Sequence, residues 1–226
     1  MISFKEFYFL SEDACKEKVK RRYKVWPSAY ACVPVKTSKA LTKTGWKSHS
    51  ELTVGEEILT FNLKKDCLEF KPILNLHHYE DVDTWFVKNG NTGFKFECTP
   101  NHKWVVKYEN KSNVSQLLTT EELLNTDHNI KLVTNSLYKE ELPIISDKIY
   151  NEFVNSNECI LSCENLELKE TKKSDVWCPE TENGTWVMMQ ETDGNGIITI
   201  TGNSGALVRC RKVGAANWGN KKKKKK

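Results

Sequence analysis

Long apolar runs are missing from this 226-residue chain. Lys, Glu or Asp interrupts every greasy stretch before it reaches 18 residues, which excludes a membrane-spanning helix. The opening residues Met1-Ile2-Ser3-Phe4-Lys5-Glu6 carry no apolar signal segment ahead of their charges, so export is not expected. No glycine-rich phosphate loop, His-Glu-x-x-His pair or paired-carboxylate site is present, so the motifs of nucleotide and zinc-hydrolase chemistry are absent. Cys159 and Cys163 stand four apart with no second Cys or His pair nearby, and neither a metal nor a cofactor is expected. Eight cysteines would suit four disulfides in a small secreted domain. The length and the missing export signal fit reduced thiols in an intracellular compartment better.

What the chain does have is material for a core and an uneven charge. Hydrophobic residues make up 38%, with 7 Trp, 7 Tyr and 9 Phe, which argues against wholesale disorder. The net charge of +4 divides sharply. Residues 1–31 carry 7 Lys and Arg against 4 Asp and Glu, and residues 204–226 carry 9 Lys and Arg with no acid. That leaves 18 basic and 26 acidic residues in 32–203, a net of −8 between flanks of +3 and +9. Asymmetry on this scale marks separate functional units.

In the N-terminal flank, Ser11-Glu12-Asp13 caps an expected basic helix through Cys15, Val19 and Tyr23, ended by Trp26-Pro27. The C-terminal flank is short and finishes in six lysines, a composition that fits nucleic-acid attraction, targeting or a solvated tail. Neither flank is long enough to bury a core alone. The middle reads as all-β. Glu57–Asn62, Asp83–Val87, Phe94–Cys98, Lys103–Tyr108, Asp175–Cys178, Thr185–Met189 and Gly196–Thr201 are short and rich in Ile, Val, Phe, Trp and Thr. Turn signals at Asn89-Gly90, Asn183-Gly184 and Asp193–Gly196 separate them. Thr119–Leu124 predicts one capped helical turn, and 109–174 reads mainly as loop with a few strands.

Three constellations could carry chemistry. Thr99-Pro100-Asn101-His102 sets a hydroxyl and an imidazole three residues apart after an expected strand, where a turn can aim both at one backbone amide. Gly202-Asn203-Ser204 offers an Asn able to attack its own carbonyl carbon, although the same residues also make ordinary turns. Cys32 and Cys178 are candidate nucleophiles, whereas burial as small hydrophobes is the default for Cys67, Cys98 and Cys210. Their order is informative. A Cys opens the acidic middle, an Asn closes it, a Ser follows, and the Thr-Pro-Asn-His turn lies between.

That arrangement resembles an intein of the Hint superfamily, over residues 32–203. Cys32 stands at the family's first nucleophile, and Leu52–Leu59 resembles its early strand with a Gly-acidic turn. Gly93–Trp104 is similar to its Thr-x-x-His block, Asp175–Met189 to its penultimate block and Ile198–Ser204 to its terminal block. The resemblance implies a horseshoe-like β fold with pseudo-two-fold symmetry, an N-extein at 1–31, an intein at 32–203 and a C-extein at 204–226. It implies single-turnover self-excision, without metal or cofactor, that joins Ala31 to Ser204 in a 54-residue product. Only 109–174 separates the catalytic halves, as in mini-inteins without an endonuclease.

Two departures bear on the chemistry. Gly202 replaces the His that usually precedes the terminal Asn, and Cys178 stands where the penultimate block usually has Asp. Both resemble a minority class in which a Trp, Cys and Thr trio, here Trp104, Cys178 and Thr201, replaces the first-residue nucleophile. Members of that class usually lack a first Cys, yet Cys32 is present, so both routes remain open. In either, the resemblance implies that Thr99 strains the scissile amide and that His102 protonates the departing amine with a pKa near neutrality. Ser204 then takes the acyl group and Asn203 cyclises. The rival readings are a cleavage-only Hint domain and, in a different class, a basic nucleic-acid-binding protein with an inert β domain.

Overall fold

The computed structural model describes residues 31–108, 115–126, 130–134, 151, 160–192 and 195–202, within one compact unit, Tyr30–Asn203. The described chain opens with β1 (Val33–Pro34), β2 (Ser38–Thr42) and β3 (Gly45–Ser48), then a 3-10 turn at His49–Glu51. A hairpin of β4 (Glu57–Asn62) and β5 (Cys67–Pro72) leads into the long β6 (Asn75–Asn89), followed by β7 (Lys95–Cys98) and β8 (Lys103–Tyr108). Next come β9 (Gln116–Thr119), helix α1 (Thr120–Leu124), β10 (Ile130–Val133) and β11 (Ile160–Ser162). The long β12 (Leu166–Glu180), β13 (Thr185–Thr192) and β14 (Asn195–Gly202) complete it. The all-β expectation holds. The helix expected after Ser11 and the lysine tail lie outside the described residues.

The strands form two sheets. The smaller runs β1-β12-β6-β7; the larger runs β11-β10-β8-β14-β13-β2-β4-β5, with β3 joined to β2 and β9 to β8. Each half of the chain contributes a pair to the large sheet, β4–β5 or β10–β11, and then a 15-residue strand, β6 or β12, to the small one. Those two long strands pair with each other along their length.

The large sheet is buried on both faces, which explains why its strands read as continuous apolar runs. Successive side chains point to opposite faces. Trp104 and Val106 therefore join a core with Phe96, Trp177 and Trp186, while Val105 joins Leu41, Leu59, Phe61, Val187 and Ile200 on the other side. Helix α1 begins as its sequence implies. The Thr119 hydroxyl accepts from the Glu122 amide at 3.1 Å, and the Glu122 carboxylate accepts from the Thr119 amide at 2.7 Å.

Two expectations need correction. Asp83–Val87 and Asp175–Cys178 are parts of long strands rather than short elements. The first part of β12, Leu166–Ser174, is a largely exposed polar ribbon, tied to β6 by Lys173 against Asp83 at 3.1 Å and by Lys172 over the Phe86 ring at 4.8 Å. Without an apolar face it carries no period-2 signal, so 166–174 passes for loop. The ribbon's pairing with β6 shifts register between Ser174 and Val176. The extra residue lies on β6, between Tyr79 and Val82, and it sets which β6 side chains share a face with Cys178.

Candidate active site

Cys32 immediately precedes β1. There Val33 pairs with Trp177 and Pro34 with Val176, so the same antiparallel register sets Cys32 opposite Cys178. Both cysteines are free and buried, and their sulfurs are 3.2 Å apart in a thiol–thiol hydrogen bond. Burial, reinforced by the adjacent Cys178 thiol, pushes the Cys32 thiol well above its ordinary pKa. At rest Cys32 is a protonated thiol.

The amide between Ala31 and Cys32 is gripped by Thr99. The Cys32 N–H donates to the Thr99 hydroxyl at 3.1 Å, and the Thr99 N–H donates to the Cys32 carbonyl at 3.0 Å. The turn beginning at Thr99 closes when the His102 N–H donates to the Thr99 carbonyl at 2.9 Å. That turn brings the His102 ring into the same buried space.

The His102 Nε2 bonds the Thr201 hydroxyl, and that hydroxyl donates to the Lys103 carbonyl at 2.8 Å. One hydroxyl proton serves one acceptor, so with Lys103 taking it, Nε2 carries the ring hydrogen. Nδ1 is then the lone-pair nitrogen, and it is buried. Burial lowers the His102 pKa to about 3, opposed by the backbone of Ala31, which favours the charged ring. The expectation of an imidazole poised near neutrality is therefore corrected. Desolvation disfavours the cation, and the resting ring is neutral.

Trp104 packs edge-on against His102, with ring centroids 4.7 Å apart and planes at 75°. It lies directly across the β8–β14 ladder from Thr201. Its indole Nε1–H donates to the Thr120 hydroxyl at 2.9 Å, and the Thr120 amide donates to the His102 carbonyl at 2.8 Å. Thr120, at the first position of α1, thus holds both the ring beside His102 and the backbone that carries it. Sequence reading assigned the capped turn but not this role, because nothing in a capping box says which indole its second residue meets.

Gly202 also has a steric role that the sequence hides. A Cβ there would lie 3.0 Å from the Leu117 Cδ2 and 3.1 Å from the Gly184 carbonyl oxygen. Gly184 itself has a φ of +67°, so the carbonyl in the way belongs to a turn that demands glycine. A histidine at 202 would require Leu117 and the Gly184 turn to give by a few tenths of an ångström. β14 ends at Gly202, one residue before Asn203; Asn203 and Ser204 lie outside the described residues.

Six of the eight expected site residues, Cys32, Thr99, His102, Trp104, Cys178 and Thr201, are thus linked by named contacts or cross-strand pairings. The Thr99–His102 turn touches Cys32 at the start of the acidic middle and Thr201 near its end.

The chain superposes on the AceL NrdHF class 3 split intein, in a GSH-linked, splice-inactive variant, with a TM-score of 0.55. The match has 11% identity and covers 76% of this chain and 97% of that one. The fold is the intein fold. A variant of the Ssp DnaB mini-intein matches at 11% identity, 76% and 93% coverage and a TM-score of 0.49. A bacterial intein-like domain from Clostridium thermocellum matches at 14%, 76% and 96%, and 0.47. No protein-family model matches the sequence, and no curated protein sequence matches it. Within the intein fold, then, the expected residues of the resemblance cluster without the support of close sequence relatives.

Proposed function

We propose that residues 32–203 excise themselves and ligate Ala31 to Ser204 by single-turnover protein splicing. The observation that carries this reading is the convergence on one turn: Thr99 holds the Ala31–Cys32 amide, and His102 holds Thr201, two residues before Asn203. Residues 1–31 and 204–226 are the exteins.

The Cys32 thiol attacks the Ala31 carbonyl carbon. The carbon–nitrogen bond breaks, its electron pair stays on the Cys32 nitrogen, and the thiol proton ends on that amine. The Thr99 hydroxyl, already bonded to this nitrogen's hydrogen, favours a rotated, weakened amide. His102 has no spare proton at rest, so it relays the proton that the thiol releases through Nδ1 to the amine. The acyl group then passes over the 3.2 Å gap to Cys178 and on to the Ser204 hydroxyl. Asn203 cyclises, the Asn203–Ser204 bond breaks, and an oxygen-to-nitrogen acyl shift leaves an ordinary peptide bond.

The cleavage-only reading needs neither Asn203 nor Ser204. Comparing the parent chain with Asn203→Ala on a denaturing gel separates the two. Splicing requires that the variant retain the 204–226 segment while still forming a thiol-sensitive junction at Ala31. Release of that segment at the parent rate contradicts the assignment. Nucleic acid is proposed as a partner only for the ligated product, whose charge is +12 while the excised middle is −8. Salt-dependent retention of that product on immobilised DNA tests the assignment, and retention indifferent to salt overturns it.

A further inference from the structure

The buried thiols raise a question of proton traffic. Cys32 is protonated at rest, and the His102 ring lies against the Ala31 backbone. Across the small sheet, however, the row that begins with Cys32 and Cys178 continues. Cys178 on β12 pairs directly with His77 on β6, so the two side chains share one face with Cβ atoms about 4.5–5.5 Å apart. Two residues further along β12, on the same face, Glu180 reaches back to His77, with Oε2 3.3 Å from Nε2. The Glu180 side chain is 4% exposed and that of His77 15%. Tyr79 stacks on the His77 ring at 6.4 Å. The row on the opposite face, Trp177 and His78, turns instead toward His49, which confirms that alternation separates the two sets.

We propose that His77, oriented by Glu180, is the proton acceptor for the Cys32–Cys178 thiol pair. This rests on the splicing reading and adds a residue to it. Cys, His and carboxylate in sequence are the arrangement that activates a nucleophile: a base beside the thiol, and a third group fixing the base. With Nε2–H held by the Glu180 carboxylate, Nδ1 is the accepting nitrogen. The Cys178 proton moves to His77, giving a thiolate and an imidazolium paired with Glu180. As Cys32 attacks, its own proton passes along the 3.2 Å hydrogen bond to the Cys178 sulfur. One proton is thus held on His77 while the carbon–sulfur bond forms; it returns to the Cys178 sulfur as that thiol's own proton passes through His102 to the departing Cys32 amine. Among the titratable groups placed against His77 are Cys178 and Glu180 from β12 and Tyr79 from its own strand.

The experiment uses the full chain carrying Asn203→Ala and follows dithiothreitol-induced cleavage at Ala31 from about pH 6 to 9. His77→Gln keeps a partner for Glu180 and should slow cleavage on the order of 100-fold at pH 7, the scale of general-base catalysis. The deficit should shrink toward pH 9, where more abundant hydroxide competes with His77 as the base. Added imidazole should restore part of the rate in His77→Ala, and none in Glu180→Gln. Equal rates and pH profiles in parent and His77→Gln overturn the proposal, as does a deficit independent of pH and of imidazole. Absence of any cleavage in the parent overturns the splicing reading instead. In that event iodoacetamide labelling of Cys178, located by peptide mass, still tests His77. Labelling at pH 7 should be roughly 10-fold slower in His77→Gln, and an unchanged rate overturns the assignment.

Discussion

The sulfurs of Cys32 and Cys178 stand 3.2 Å apart although 146 positions of sequence separate them. The register of β1 on β12 makes this meeting. On the proposed splicing route, a thiol so close to Cys32 would receive the acyl group by thioester exchange.

That geometry separates the roles of the two cysteines. Cys32→Ala should abolish cleavage at Ala31 by added dithiothreitol. Cys178→Ala should keep a thiol-cleavable junction but splice at least about 10-fold more slowly, having lost its intermediate acceptor. Intact mass with and without dithiothreitol reads both. Normal splicing by Cys32→Ala with an inert Cys178→Ala contradicts the order and assigns the first attack to Cys178.

Gly202 yields a prediction about shape. Because a Cβ meets the Gly184 carbonyl at 3.1 Å, Gly202→Ala should destabilise the domain by about 1–3 kcal/mol in urea unfolding. Gly202→His, despite restoring the residue usual at this place in inteins, should cost more and should not speed release of 204–226. Faster release with undiminished stability contradicts the steric account.

Thr120 is the support beneath Trp104. Thr120→Val removes the acceptor for the buried indole hydrogen at nearly constant volume, so it should cost about 1–3 kcal/mol. Thr120→Ser keeps the hydroxyl and should lose far less. Equal losses in the two variants would show that the methyl group, not the hydrogen bond, matters.

His102 links stability to pH. Its folded pKa of about 3 lies below the ordinary histidine value, so between the two the unfolded chain binds more protons. Stability from this group is therefore complete above about pH 6.5 and is lost as pH falls toward 3, with a slope approaching about 1.4 kcal/mol per pH unit. Subtracting the His102→Gln unfolding profile from the parent's isolates the effect. Parallel profiles between about pH 6.5 and 4.5 contradict a buried neutral ring.

Much of this site was legible in the chain, and the rest was hidden for identifiable reasons. β4 and β8 match their expected bounds because Glu57–Asn62 and Lys103–Tyr108 are dense in β-branched and aromatic residues between turn signals. The Thr99–His102 turn was legible because both side chains belong to one short segment. The polar first part of β12 was not, since an exposed strand without an apolar face has no hydrophobic period. The 3.2 Å sulfur contact and the Cys178–His77 pairing depend on register across three strands, which local sequence does not encode. The neutral state of His102 follows from burial, and burial belongs to the assembled fold.

The central claim is that the chain rejoins its own ends, and intact mass of freshly expressed, reduced protein tests it most directly. At ~115 Da per residue, the 26.1 kDa chain should give products of roughly 20 kDa and roughly 6 kDa. Fragmentation of the smaller product should read Tyr30-Ala31 continuing directly into Ser204-Gly205. A 26.1 kDa species that persists from about pH 6 to 9, or two separate flanking peptides with no Ala31–Ser204 bond, contradicts it.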